Sequence, residues 1–407
     1  TREVKTASLQ VLISLAEKRP TCVAGLPALG STYMAVLSHD DPNLRQKAVD
    51  LLALCPHKDP SYMAAVLNPF VSEDWHPGVR SRAAAGLLAL HRSHGLLLTP
   101  REYSLAVAAV ADDHEDVRSQ ALQLVAACAL ACGESLIGER FGEPLRLIDD
   151  AFLRICSQVG DRSTSIRVVS HTLLASLKGA ASNVKLQALS RKVTAKVSAQ
   201  STDGEATAEE EADVELMDAA AGAFLNGLED EKQVIRQAAI TAMVELSLED
   251  SEMAAAAVEH LVDMINDELP DIRLQAAQAL AQLSGRDAQL PEDQLKLLIC
   301  GLEDSDACMR AAVAQFLCRL RCSGAAALQA VVDALLKAAA TRPQDFHCMG
   351  AALRRLGERH APLVEGLIAR LLGAQRESSL DDPRHACKLV LVLSAARLHP
   401  AILSLVP

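Results

Sequence analysis

The chain has 407 residues, half of them apolar but only 2% aromatic, and carries a formal net charge of −12 at pH 7. That balance excludes an extended nucleic-acid-binding surface, which needs a basic field and, for single strands, stacking aromatics. No run approaches the ~18 consecutive apolar residues that cross a membrane, and no secretory signal peptide is visible. The 11 cysteines, without a CxxC motif or an Asn-x-Ser/Thr sequon, are the usage of a reducing compartment, nucleus or cytosol.

Residues 1–19, TREVKTASLQVLISLAEKR, read as the second helix of an incomplete repeat, so the chain reads as part of something longer. Val4–Lys5 stand where later copies carry an aliphatic residue and Arg. Pro20, Gly25, Pro27 and Gly30 mark a turn region. A figure then recurs on Arg45, Arg80, Arg118, Arg167, Arg236, Arg273 and Arg310, at spacings of 35, 38, 49, 69, 37 and 37 residues. Each is preceded by an aliphatic residue: Leu44, Val79, Val117, Ile166, Ile235, Ile272 or Met309. Six residues earlier stands Asp74, Asp112, Asp161, Asp230, Asp267 or Asp304; the first copy departs, with His39 there and Asp40 next.

A unit of about 37 residues with two apolar-periodic stretches is a helical hairpin, and a row of them is an all-α solenoid. The spacing predicts each Asp near the start of the second helix, accepting orphan N–H groups and favouring the positive end of the dipole. It predicts the aliphatic–Arg pair about two turns inside, with the guanidinium reaching an Asp of its own or an adjacent repeat. A phosphate-binding stripe is the sharper alternative, and the acid at fixed spacing from each Arg argues for the structural ladder. The D-x5-R figure resembles HEAT repeats, relatives of the armadillo type.

Pro42 and Pro77 fall in the turns of the first two copies, where a missing N–H costs little. Trp75, the sole Trp, reads as a lid over helix ends in preference to a partner contact. Copy three, VADDHEDVRSQALQLVAACAL, is the most regular, and a longer loop and another hairpin follow it. After Leu177, Lys178, Lys185, Arg191, Lys192 and Lys196 make a sparse basic stretch. The acidic run at 199–215 cannot bury a face and is expected to be disordered. The expected organisation is 1–177 N-terminal repeats, 178–215 charged linker, 216–320 regular repeats and 321–407 degenerate helical repeats. Pro291 and Glu292 read as a helix start, with Pro in the first turn. The period places further turns near 347 and 384.

No catalytic constellation is legible: there is no P-loop, nucleophile elbow, zincin motif or dinucleotide fingerprint. His39, His76 and His114 lie in turns, where histidines are expected to be solvated. Asp112–Asp113 and Asp149–Asp150 have turn and helix-start duties. Cys128/Cys132 and Cys318/Cys322 stand one helical turn apart without a second pair, which suits small apolar side chains in helix interfaces better than a metal site. The reading is a protein-binding scaffold and not an enzyme.

Four stretches go beyond repeat grammar: LRLIDDAFLRICSQVGDRSTSIRVVSHTLLASL (145–177), GAFLNGLEDEKQVIRQAAITAM (222–243), HLVDMINDELPDIRLQAAQALAQLS (260–284) and EDQLKLLICGLEDSDACMR (292–310). They resemble the Integrator complex subunit 4 family. The resemblance implies a nuclear scaffold that holds two metallo-β-lactamase-fold subunits, a zinc endonuclease and its inactive paralogue, among other Integrator subunits. That pair performs 3′-end cleavage of small nuclear and other nascent RNA polymerase II transcripts. Inositol hexakisphosphate is associated with such modules, and Lys185, Arg191, Lys192 and Lys196 are this chain's candidate contacts for it. The family also implies a C-terminal β-rich domain, which is not legible before Pro407. Its plant members are similar, and they imply an alternative: an armadillo-type trafficking adaptor for cargo such as transcription factors, in cytoplasm or endosome.

Overall fold

The structure, a computed structural model, describes residues 2–19, 34–54, 59–140, 142–192, 208–283, 290–372 and 383–406. The chain divides into two compact units, 1–227 and 228–407. Both are made of helical hairpins, the all-α HEAT/armadillo-type solenoid architecture.

In the first unit, α1 (Arg2–Lys18), α2 (Pro42–Leu54), α4 (Pro77–His94), α6 (Glu115–Cys132) and α8 (Thr164–Leu174) pack in succession as one layer. The second layer holds α3 (Pro60–Ser72), α5 (Pro100–Val110) and α7 (Leu147–Cys156). Proline opens α2, α3, α4 and α5, where its fixed φ suits a helix and its missing N–H is an orphan anyway. Asp59 caps α3 by accepting from Ser61 N–H, and Thr99 with Glu102 forms a capping box on α5. The residue before each ladder Arg and the residue three after it point into the core. Leu44, Val79, Val117 and Ile166 are fully buried, as are Ala48, Ala83, Ala121 and Ser170. Small residues at the second position let consecutive helices approach closely.

Where the sequence suggested a longer loop, the structure has a β-hairpin: β1 (Leu136–Arg140) pairs antiparallel with β2 (Glu143–Arg146), and Gly142 turns with φ 77°. Its base is stitched by Leu147 N–H to Ser135 O (2.9 Å) and Ile148 N–H to Gly133 O (3.0 Å). The hairpin carries Arg140 inward to Asp150, a fully buried carboxylate that also accepts from Tyr103 Oη (2.5 Å) and Arg154 Nε (2.7 Å). Burial pulls the Asp150 carboxyl up, but Arg154, Tyr103 and Arg140 outweigh it and hold it below the usual range. Arg140 Nε also donates to Asp213 (2.8 Å). Asp149 instead accepts from Ala181 N–H (2.8 Å) and from Arg146. The adjacent carboxylates therefore do more than start a helix.

The stretch expected to be a linker is folded wherever it is described. Residues 182–187 form α9 (Ser182–Gln187), and Ala188 and Leu189 are buried beyond it. Residues 193–207 lie outside the described residues. The last part of the acidic run, 208–215, opens α10 (Ala208–Ala220), because Asp213 finds Arg140 and Met217 and Ala220 supply buried apolar contacts. Residues 216–227 fall in the first unit, whereas the sequence grouped them with the later repeats. Helix α11 (Ala223–Leu228) follows.

In the second unit, α12 (Gln233–Ser247), α14 (Pro270–Leu283), α16 (Ala307–Leu317) and α18 (Phe346–Arg359) form one succession. Helices α13 (Ser251–Asp263), α15 (Glu292–Cys300) and α17 (Ala325–Thr341) form the other layer. Pro291 is the N-cap of α15, one place earlier than expected. Helices start near both positions that the period marked, 347 and 384, as α18 and α21 (Pro383–Leu398). Short helices α19 (Ala361–Glu365) and α20 (Ile368–Leu372) lie between them.

The backbones of α18 and α21 meet at Gly357. A Cβ there would stand 2.2 Å from Ser394 Oγ and 2.4 Å from Leu391 O. At Gly350, in the same helix, a Cβ would meet nothing within 4 Å. Gly357→Ala is therefore expected to lower unfolding free energy by about 1–3 kcal/mol through forced separation of the helices. Gly350→Ala should raise it by about 0.5–1 kcal/mol through helix propensity. Urea unfolding of the two variants checks both signs.

Candidate functional site: the turn ridge and its arginine ladder

Each ladder Arg is the fourth residue of its helix, from Arg45 in α2 to Arg310 in α16. It thus sits one turn inside, not the two expected, and its Asp lies outside the helix. Asp74 accepts from His76 N–H (2.8 Å), Asp112 from His114 (2.9 Å), Asp161 from Ser163 (2.7 Å) and Asp230 from Lys232 (2.8 Å). Asp267 and Asp304 do the same for Leu269 and Asp306, both at 2.8 Å. Each carboxylate folds its own turn by bonding the N–H two residues on. In the first copy, His39 takes this duty, its Nδ1 accepting from Asp41 N–H at 3.0 Å.

From the fourth position the guanidinium reaches both ways. Nη1 donates back to the carbonyl six residues earlier, in Arg45 to His39 O (2.9 Å), Arg80 to Asp74 O (2.8 Å) and Arg118 to Asp112 O (2.9 Å). Arg167, Arg236, Arg273 and Arg310 repeat the contact to Asp161, Asp230, Asp267 and Asp304. In Arg45, Arg80 and Arg118, Nε and Nη2 donate forward as a fork to the Asp of the next repeat. Arg45 meets Asp74 with both arms at 2.8 Å, Arg80 meets Asp112 at 2.7 and 2.9 Å, and Arg118 meets Asp161 at 2.7 and 2.8 Å. Arg236–Asp267 and Arg273–Asp304 are looser, at 3.2 Å, and Arg310–Asp345 is 2.6 Å. These rungs join successive turns by buried or half-buried, charge-assisted pairs.

The ladder's ends follow from the same geometry. At one end, exposed Lys5 stands for Arg and His39 for Asp, so both partners of a would-be rung are changed together. At the other, Asp345 accepts from Arg310, but the fourth residue of α18 is Met349, fully buried. Sequence reasoning missed Asp345 because it lies off the six-residue spacing. With their forks buried and engaged, Arg45, Arg118 and Arg310 form no phosphate-binding stripe.

Turn residues between the rungs make an exposed ridge. Trp75 is not a lid: it is 68% exposed. The Arg45 guanidinium carbon lies 5.3 Å from its ring centroid, and the His76 ring meets it edge-on at 5.4 Å. His76 is not simply solvated either, because its Nδ1 caps α4 by accepting from Gly78 N–H (3.1 Å).

A HEAT-repeats family model matches residues 221–318. Human Integrator complex subunit 4 is 31% identical over 440 aligned residues, covering 98% of this chain and 45% of that protein. The chain is homologous to Integrator complex subunit 4. It spans about half the length of the curated relatives it matches. The Arabidopsis thaliana protein SIEL is 28% identical over 59% of this chain and 25% of its own length. An engineered protein of known crystal structure superposes with a TM-score of 0.53 at 14% identity, over 97% of this chain and 96% of its own, a likeness of fold alone.

For a subunit 4 homologue, the residues marked for inositol hexakisphosphate and for metal can be placed. Lys185 is buried, at 4% exposure, because α9 packs inward. Arg191 is exposed and passes under Gly222, where a Cβ would meet its Cγ at 2.9 Å. Lys192 is exposed, and Lys196 lies outside the described residues. A polyphosphate needs several cations converging on one surface, and burial removes Lys185 from such a cluster. The described part of this stretch does not fit the group. Among the described residues, no group of three or more His, Cys, Asp or Glu could hold a metal ion. Burial pushes the Cys128 and Cys132 thiols up and Cys322 to about 11, which disfavours the thiolates that ligation requires.

Removing one member of a rung leaves the other buried without its partner. Arg118→Ala is expected to cost about 3–5 kcal/mol, and Arg118→Lys should recover little, because an ammonium cannot supply the fork. Denaturant titration of the three proteins tests the ordering. Burial raises the Asp112 carboxyl, but Arg80 and the His114 N–H outweigh it and hold it below its ordinary value of 3.8. Its contribution is then full above that value and is lost as pH falls through the lowered folded one. Stability measured from pH 5 to 2 should fall for the parent, and Asp112→Asn should flatten the slope.

Proposed function

We propose that the chain is a non-enzymatic scaffold of an Integrator-type assembly, holding other subunits on the turn ridge and helix faces of its repeats. The observation that carries this is the 31% identity to human Integrator complex subunit 4 over 98% of the chain. The ladder supports it physically, because it spaces turns rigidly and commits its charged side chains to structural bonds. A row of fixed turns suits many shallow contacts.

The finer reading names the occupants: a metallo-β-lactamase-fold zinc endonuclease and its inactive paralogue, engaged in 3′-end processing of small nuclear and other RNA polymerase II transcripts in the nucleus. A second reading asks less of the structure. An adaptor that binds cargo proteins such as transcription factors needs only the stacked hairpins and their ridge. Affinity capture of the tagged intact protein from nuclear extract, read by mass spectrometry, separates the two. The scaffold reading expects a zinc-dependent nuclease pair with other Integrator subunits. Recovery of cargo proteins with neither nuclease subunit would overturn it in favour of the adaptor.

A further inference from the structure

We infer that Trp75 and the turns on either side of it form a docking site for an arginine-bearing, basic, extended segment of a partner protein. The ring is the chain's sole Trp and stands 68% exposed on the ridge. It is also held: Arg45 lies over it at 5.3 Å, and the His76 ring packs on it edge-on at 83°. Arg45 is itself fixed by Asp74 through both arms of its fork. An exposed aromatic that is already immobilised loses little freedom on binding, as an interface anchor should.

The surrounding charge selects the occupant. Glu73 precedes Asp74 in the same turn. Asp40 lies in the turn that Arg45 ties back to, Asp113 lies in the turn tied by Arg80–Asp112, and Glu115 and Asp116 open α6 directly after it. All five are exposed, and none is ion-paired among the described residues. Ser81 Oγ donates to Asp116 O (3.3 Å), which brings the third turn beside α4. From the following turn, Arg162 donates to the Asp113 carbonyl. An aliphatic anchor would gain only the ring's apolar face and nothing from the carboxylates. A guanidinium can stack on the ring's open face while its positive charge meets the carboxylates, and the Arg45 charge behind the ring is already neutralised by Asp74. Lysine would gain the charge attraction but not the planar stacking. This site does not depend on which proteins the scaffold holds, so its failure would leave that reading untouched.

Because the chain has one Trp, its fluorescence reports on the site directly. The full chain is titrated with a synthetic 12-residue peptide of alternating Arg and Ser, and separately with the Lys–Ser counterpart. The Arg peptide is expected to shield Trp75 from acrylamide quenching saturably and to bind about fivefold or more tightly than the Lys peptide. With a labelled Arg peptide followed by anisotropy, Trp75→Ala should weaken binding about tenfold and Trp75→Phe less. The combined substitution Glu73→Gln, Asp113→Asn, Glu115→Gln and Asp116→Asn should weaken binding and flatten its salt dependence. Thermal melts confirm that the variants stay folded. Quenching unchanged by bound peptide, equal affinity for Trp75→Ala, or equal affinity for the two peptides would overturn the proposal. So would loss by Trp75→Ala of a self-association seen without peptide, which would assign the ring to a second copy of the chain.

Discussion

A buried guanidinium that bonds backward to its own turn and forward to the next is the interaction on which the repeats depend. The backward bond requires Arg one helical turn in and a carbonyl six residues earlier. The forward fork requires a carboxylate whose own turn holds it rigid, which the N–H two residues on provides. Every part of the D-x5-R spacing is thereby accounted for. Only Arg has donors enough, in a fixed plane, to serve both partners at once. Burial raises the value of each fork and also the cost of breaking one. At one end Lys5 and His39 replace both partners of a rung, and at the other Met349 takes the place of the Arg after Asp345 has closed the last one.

Much of this is legible in the sequence, because a charge pair at constant spacing is a strong periodic signal. Its direction is not. The spacing leaves the Asp of the same repeat and that of an adjacent one both open; the structure sends the Arg to its own Asp carbonyl and to the carboxylate of the next repeat. The depth of the Arg was misjudged for a related reason, since the Asp lies two residues before the N-cap and not at the helix start. His39 looked like a lapse in the pattern, yet a ring nitrogen can accept the same N–H that a carboxylate does.

Non-repetitive features were harder to read. Gly142 and alternating residues in LIGERFGEPLR signal a hairpin only weakly, and nothing local says that Arg140 ends beside Asp150 and Asp213. The acidic composition of 199–215 argued for disorder, but one buried Arg and a short apolar edge suffice to order its last part. Charge counting marked Lys185 as a surface cation, while helical phase in α9 turned it inward. Trp75 could not be placed by type alone. Its exposure comes from a turn that packs only one face of the ring, against Arg45.

The ladder and the exposed ridge together describe a molecule whose work is to hold turns at fixed intervals. The perturbed pair Asp150 and Tyr103 is interior, the phenol donating to the carboxylate. The most direct test of the central claim is a double-mutant cycle on Arg118 and Asp161, with Arg118→Ala, Asp161→Ala and the pair compared by equilibrium unfolding. The account predicts a coupling of about 2–4 kcal/mol, because each single variant strands a buried charge that the double variant removes. Single effects that add to within about 0.5 kcal/mol would contradict it.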